Sequence, residues 1–124
     1  MNIFEIYREQ IINSIKTLSS KNILQIPENL KNVNTDIPPA KFDGDISSNV
    51  AMVLSKLNQK QPENIANLII NEIKNDKNIE NIKIEKPGFI NIKFKKSFWT
   101  QFLIDVINNY KTYGINLKQK KKII

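Results

Sequence analysis

The chain contains no cysteine and no histidine. The first absence rules out a disulfide framework and a thiolate metal site. The second removes the usual general base near neutral pH and the commonest metal ligand. Catalysis by this chain on its own is therefore not expected. Glycine occurs only three times, widely spaced, which leaves no glycine-rich loop to cradle a phosphate. No apolar run approaches the length needed to span a bilayer. The start, Met1-Asn2-Ile3-Phe4-Glu5, lacks the basic-then-apolar layout of a signal peptide. A cytoplasmic protein with no membrane attachment is expected.

What is present suits a folded globule. The 124 residues, 40% of them hydrophobic, suffice for one domain with one core. Nineteen basic residues against 12 acidic ones set the net charge at +7. Such a balance favours polyanions, RNA among them, through phosphate contact and counterion release. Part of the excess is compositional. Arg8 is the only arginine, while lysine, asparagine and isoleucine abound, as in the product of an AT-rich coding sequence.

Periodicity places the elements. Phe4, Tyr7, Ile11, Ile15 and Leu18 share one face of a helix over about residues 3–18, with Asn2 and Glu5 resembling a capping box. Residues 23–26 and 32–37 read as short strands, and Pro38-Pro39 begins an ordered loop. Gly44 is expected to take a backbone angle closed to other residues, and Asp45, Ser47 and Ser48 are candidate N-caps. Val50, Val53, Leu54 and Leu57 then recur at helical spacing, which predicts a second helix over about residues 46–57. Pro62 fits the first position of a third helix carrying Ile65, Leu68, Ile69 and Ile73. A final helix is expected after Ser97. Its broad apolar face (Phe98, Trp99, Phe102, Leu103, Val106, Ile107 and Tyr110) is expected in the core, and Tyr113-Gly114 is expected to end it.

Between them lies a hairpin. Ile82 and Ile84 alternate with Lys83 and Glu85, Pro87-Gly88 marks a turn, and Ile90, Ile92 and Phe94 alternate with Phe89, Asn91, Lys93 and Lys95. Ile90, Ile92 and Phe94 suit a core covered by helices. The other set aligns an aromatic ring, an amide and two cations. Rings stack on unstacked bases, an amide reads a base edge, and lysines meet phosphates. A solvated sheet face bearing one stray aromatic, or Phe89 folded over the turn, is the plainer explanation of the same pattern.

Two segments carry a family resemblance. Gly44-Asp45-Ile46-Ser47-Ser48-Asn49-Val50-Ala51-Met52 resembles the fingerprint of the N-terminal domain of class I arginyl-tRNA synthetases. Lys86-Pro87-Gly88-Phe89-Ile90-Asn91-Ile92-Lys93-Phe94 is similar to that family's Gly-Pro-Gly-Phe-Ile-Asn-Phe segment. Order and spacing agree too, and the similarity runs from about Phe4 to the end of the chain.

The resemblance implies a domain that contacts the outer corner of tRNA(Arg) at its D-loop, with Phe89 and Asn91 handling one nucleotide. Lys93, Lys95 and Lys86 are the accompanying candidates. Gly44, Asp45, Asn49 and Gly88 are implied to be structural: turns, a cap and a loop anchor. The His-x-Gly-His signature of class I synthetases is impossible in a chain without histidine. Arginylation, with its ATP and Mg2+, is thus expected in a catalytic domain of the same parent protein, and no cofactor is expected here. Residues 1–112 are expected to form the domain and residues 113–124 a linker, with Ile123-Ile124 opening a strand. The expected fold is α+β, with a small antiparallel sheet of about four strands and helices mainly on one face. A monomer is expected. The competing reading is a basic protein–protein interaction module without RNA specificity.

Overall fold

Asn2 opens the first helix, α1 (Ile3–Ser20), by accepting the amides of Phe4 and Glu5 at 2.9 and 3.4 Å. The expected cap is therefore in place. The computed structural model describes the backbone of residues 2–123 and the side chains of residues 2–110. The chain divides into two compact units, Met1–Phe94 and Lys95–Ile124.

The first unit holds α1, α2 (Val50–Asn58), α3 (Pro62–Ile73) and a four-stranded sheet. Its strands are β1 (Thr35–Asp36), β2 (Ile46–Ser48), β3 (Ile79–Glu85) and β4 (Phe89–Phe94), in the order β1-β2-β4-β3, all antiparallel. The fold is α+β, as expected. Ile46, Ile90, Ile92 and Phe94 are buried beside Tyr7, Ile11, Ile15, Leu54, Ile65 and Ile69 from the three helices. The Tyr7 and Phe94 rings lie 4.6 Å apart. The expected core face of β4 is thus the observed one.

Pro62 does occupy the start of α3. Gly88, in the turn between β3 and β4, packs against it so closely that a Cβ there would sit 2.4 Å from the Pro62 Cβ.

Several expectations fail because groups distant in sequence take over backbone bonds. Residues 23–26 form no strand. The Gln25 N–H and C=O are paired instead by the Asn58 amide, at 2.8 and 2.9 Å. Of residues 32–37 only Thr35–Asp36 is a strand, because Asn49 takes the Asn34 N–H and Asn32 C=O. The second helix starts at Val50, not Ile46. Ile46–Ser48 pair with Ile92, Asn91 and Ile90, burying Ile46 in the core. Sheet pairing here overrides the helical spacing.

Two fingerprint residues have other roles than expected. Gly44 does not have positive φ, so it serves by size: an added Cβ would lie 3.3 Å from the Asn91 Cβ. Asp45 is not a helix cap. It extends the β2 pairing, its N–H donating to the Ile92 C=O at 2.8 Å, while its carboxylate accepts the Phe94 N–H at 2.9 Å. Ser48 supplies the nearest local cap, its Oγ accepting the Val50 N–H at 3.2 Å. Asp45→Ala is expected to lose about 1.5 kcal/mol, the low end for a bond to a charged group, because the site is only part-buried. Chemical denaturation would check the value. A Phe94 amide that exchanged no faster in the variant would contradict the mechanism.

The second unit is one helix, α4 (Lys96–Ile123). It begins at Lys96, one residue before the expected Ser97 cap, and continues through Tyr113-Gly114. Leu103, Val106, Ile107 and Tyr110 are exposed and Phe98, Trp99 and Phe102 only half-buried, contrary to the expected core placement. A unit that is a single helix has no interior of its own in which to bury a face. Among the described residues no helix is long and apolar enough to cross a membrane. The expected strand at Ile123-Ile124 reaches past the described residues, and the side chains of the lysine run 118–122 lie outside them.

Candidate nucleic-acid interface

Antiparallel register sets a polar row on the sheet face away from the buried isoleucines. Asp36 pairs with Ser47, Ser47 with Asn91, and Asn91 with Lys83. Paired residues in antiparallel strands share a face, so one row crosses all four strands. Phe89 lies two positions from Asn91 on β4, opposite Glu85.

This face is not open at its centre. Residues 37–42 cross over it, with Pro38 buried. Together they enclose a cavity of about 190 Å³. Its apolar lining is Ile37, Pro38, Pro39, Phe42 and Phe89, and its polar lining is Asn34, Asp36, Ser47, Asn49 and Asn91. A larger cleft between α1 and α3, about 420 Å³, is lined by Gln10, Asn13, Thr17, Glu72 and Asp76 among others and has no aromatic wall.

Asn91 is the unusual residue. It is 2% exposed, and both its Oδ1 and its Nδ2 are buried without a hydrogen-bond partner. Buried amides are nearly always paired, because leaving one unpaired costs about 1–3 kcal/mol. An amide spared that pairing offers a donor nitrogen and an acceptor oxygen to whatever enters. Phe89, 36% exposed, presents a ring at the same cavity. The two residues singled out from the sequence therefore do converge. Asn91 sits inside a pocket, however, and not on an open face.

The expected lysines do not join them as a free cationic row. Lys93 is bonded to Asp43 at 3.2 Å and lies 3.9 Å from Glu80. The hydrogen bond to Asp43, then the charge of Asp43, hold the Lys93 ammonium above the ordinary lysine range. Lys83 shares the same partner at 4.0 Å. Lys95 lies beyond the end of β4, at the start of the second unit, so it is off the row. Lys86 is exposed in the turn before Pro87.

Asp36, Ser47, Phe42 and the Pro38-Pro39 wall were not foreseen as site residues. Strands of two and three residues carry no readable period, so no local signal placed Ser47 or Asp36 on this face. The paired prolines were the one available hint. Among the described residues no group of three or more His, Cys, Asp or Glu side chains could hold a metal ion.

The comparisons with known proteins converge. Residues 5–94 match the family model described as the arginyl tRNA synthetase N terminal domain. The chain is 54% identical over 123 residues to an arginine–tRNA ligase of Pelagibacter ubique (strain HTCC1062), covering 98% of this chain and 21% of that protein. It is 36% identical over 124 residues to the arginine–tRNA ligase of Bartonella quintana (strain Toulouse), covering 99% of this chain and again 21% of the relative. The chain thus spans about a fifth of the length of these relatives. The fold is similar to part of a crystal structure of arginyl-tRNA synthetase from Plasmodium falciparum, with TM-score 0.61 and 26% identity, covering 77% of this chain and 16% of that one.

Proposed function

Because this chain belongs to the family of arginyl-tRNA synthetase N-terminal domains, we propose that it is the tRNA-contacting part of an arginine–tRNA ligase. Its cavity over Asn91 would take one unstacked base from the D-loop of tRNA(Arg). The observation that carries this reading is the buried, unpaired Asn91 amide beside the exposed Phe89 ring. A base supplies what both lack: an edge bearing donors and acceptors, and a π-face to stack.

Lys83 and Lys93 meet a phosphate by exchanging it for Asp43. That exchange is inexpensive, because exposed ion pairs contribute only about 0–1 kcal/mol. Lys86 and Lys95 add charge without reading sequence. Arginylation belongs to the catalytic domain of the parent protein, with ATP and Mg2+. The cavity here, rimmed by Asp36 and walled by prolines, does not suit a triphosphate. Residues 1–112 act as the binding domain and residues 113–124 as the connection toward catalysis, in a cytoplasmic monomer.

Phe89→Ala is the direct test. Losing one base–aromatic stack is expected to weaken tRNA binding by about 1–3 kcal/mol, with the melting temperature little changed. Loss of a core phenylalanine would instead cost about 3–5 kcal/mol of stability. A variant that melts far earlier, while its folded fraction binds tRNA normally, would sink the assignment. Binding to acidic polypeptides equal to that of tRNA would favour a protein-interaction module instead.

A further inference from the structure

Asn34, Asn49 and Asn91 all line the cavity, and the side-chain amides of the last two are used in opposite ways. Both polar atoms of Asn91 are unpaired. Both of Asn49 are engaged: Oδ1 accepts the Asn34 N–H at 2.8 Å, and Nδ2 donates to the Asn32 C=O at 3.0 Å. Asn49 stands at the start of α2, yet its side chain makes no cap bond to that helix.

The segment it holds leads straight to the wall over Asn91. After Asn34 come Thr35–Asp36 and then Ile37-Pro38-Pro39, of which Asp36 and all three of the latter line the cavity. The same segment is fastened from the opposite side. Arg8 donates to the Val33 and Leu30 carbonyls, each at 2.8 Å, and the Thr35 hydroxyl donates to the Phe4 carbonyl at 2.7 Å. α1 thus holds residues 30–35 on one flank, and Asn49 ties the same segment to α2.

We propose that Asn49 is a positioning residue for the Asn91 site. It sets the wall before a base arrives, so that little ordering cost falls on binding. Its amide does not read the base, because both ends are already engaged. The proposal rests on the reading that the cavity accepts a base of tRNA(Arg).

The test uses the 124-residue chain with Asn49→Ala and Asn49→Asp. Each is titrated with a transcript of tRNA(Arg) and with a set of transcripts that each lack one D-loop base. The wild-type chain is expected to lose roughly tenfold in affinity at one abasic position. Asn49→Ala should lose most of that contrast, leaving about twofold or less, while binding the abasic RNA as the wild type does. Asn49→Asp keeps an acceptor for the Asn34 N–H and should retain part of the contrast. Hydrogen exchange in the free chain supplies a second readout: the Asn34 amide should exchange faster in Asn49→Ala than in Asn49→Asp. Full contrast in Asn49→Ala, with Asn34 exchange accelerated, would overturn the positioning role alone. No contrast in the wild type would overturn the base-binding reading beneath it. Should Asn49→Ala fail to fold, Asn49→Asp decides: reduced contrast supports the role and full contrast ends it.

Discussion

Replacing Asn91 with leucine is expected to raise the melting temperature of the free domain and, at the same time, to weaken its hold on tRNA. Both effects have one cause. The Asn91 amide is desolvated in the folded chain, and neither of its polar atoms has a protein partner. In the unfolded chain water satisfies both. Folding therefore carries a penalty of about 1–3 kcal/mol that an apolar side chain would not incur. Leucine keeps the branching at Cγ and removes the polar atoms. Leucine is bulkier than asparagine, and there is little spare room here, since a Cβ added at Gly44 would already lie 3.3 Å from the Asn91 Cβ; this offsets part of the gain. A net increase of about 1 kcal/mol remains, or roughly 4–8 °C for a domain of this size. Binding should move the other way. A base offering a donor and an acceptor would then meet a hydrocarbon, leaving its own edge unpaired at a further cost of about 1–3 kcal/mol. Thermal unfolding by circular dichroism and tRNA titration read the two signs independently. Leucine lowering stability and affinity together would mean that Asn91 is partnered in solution, and its role as a reserved amide would be lost.

The largest loss of stability is expected from Gly88→Ala. A single methyl group is added, and Gly88 needs no unusual backbone angle, since its φ is not positive. The cost is steric. The new Cβ would lie 2.4 Å from the Pro62 Cβ, 3.6 Å from its Cα and 3.3 Å from the Met52 Cγ. Met52 can rotate away. Pro62 cannot: its ring is rigid, and it forms the first turn of α3. Either the β3–β4 turn or the start of α3 must shift. Overpacking of this kind costs about 1–3 kcal/mol and occasionally more, and the upper part of that range is expected. Because the turn leads directly into Phe89, the variant should also bind tRNA less well. Pro62→Ala would leave the Pro62 Cβ in place and so should not rescue Gly88→Ala, whereas Pro62→Gly should recover part of the loss. A Gly88→Ala chain as stable as the wild type in urea would show that the contact yields freely.

The sequence alone was enough for the features that local rules specify. Asn2 capping α1, Pro62 starting α3, and the alternation that sends Ile90, Ile92 and Phe94 into the core all follow from contiguous residues. Alternation also set Phe89, Asn91, Lys93 and Lys95 in one row, and the resemblance to the family segment singled out Phe89 and Asn91 within it. Tertiary structure decided what neighbours in sequence do not encode. Ile46–Ser48 became a strand because β4 offered backbone partners that outweighed a helical spacing. Asp45 bonds the Phe94 amide 49 residues away, and Asp43 neutralises Lys93 at a separation of 50. Leu103, Val106, Ile107 and Tyr110 of α4 stayed exposed because periodicity shows that a face exists and not what covers it. Above all, alternation assigned Asn91 to the face opposite the core, but its burial depended on a loop anchored by Asn49 and Arg8. An unpaired amide can be recognised only when every group around it has a position, and that information resides in the fold.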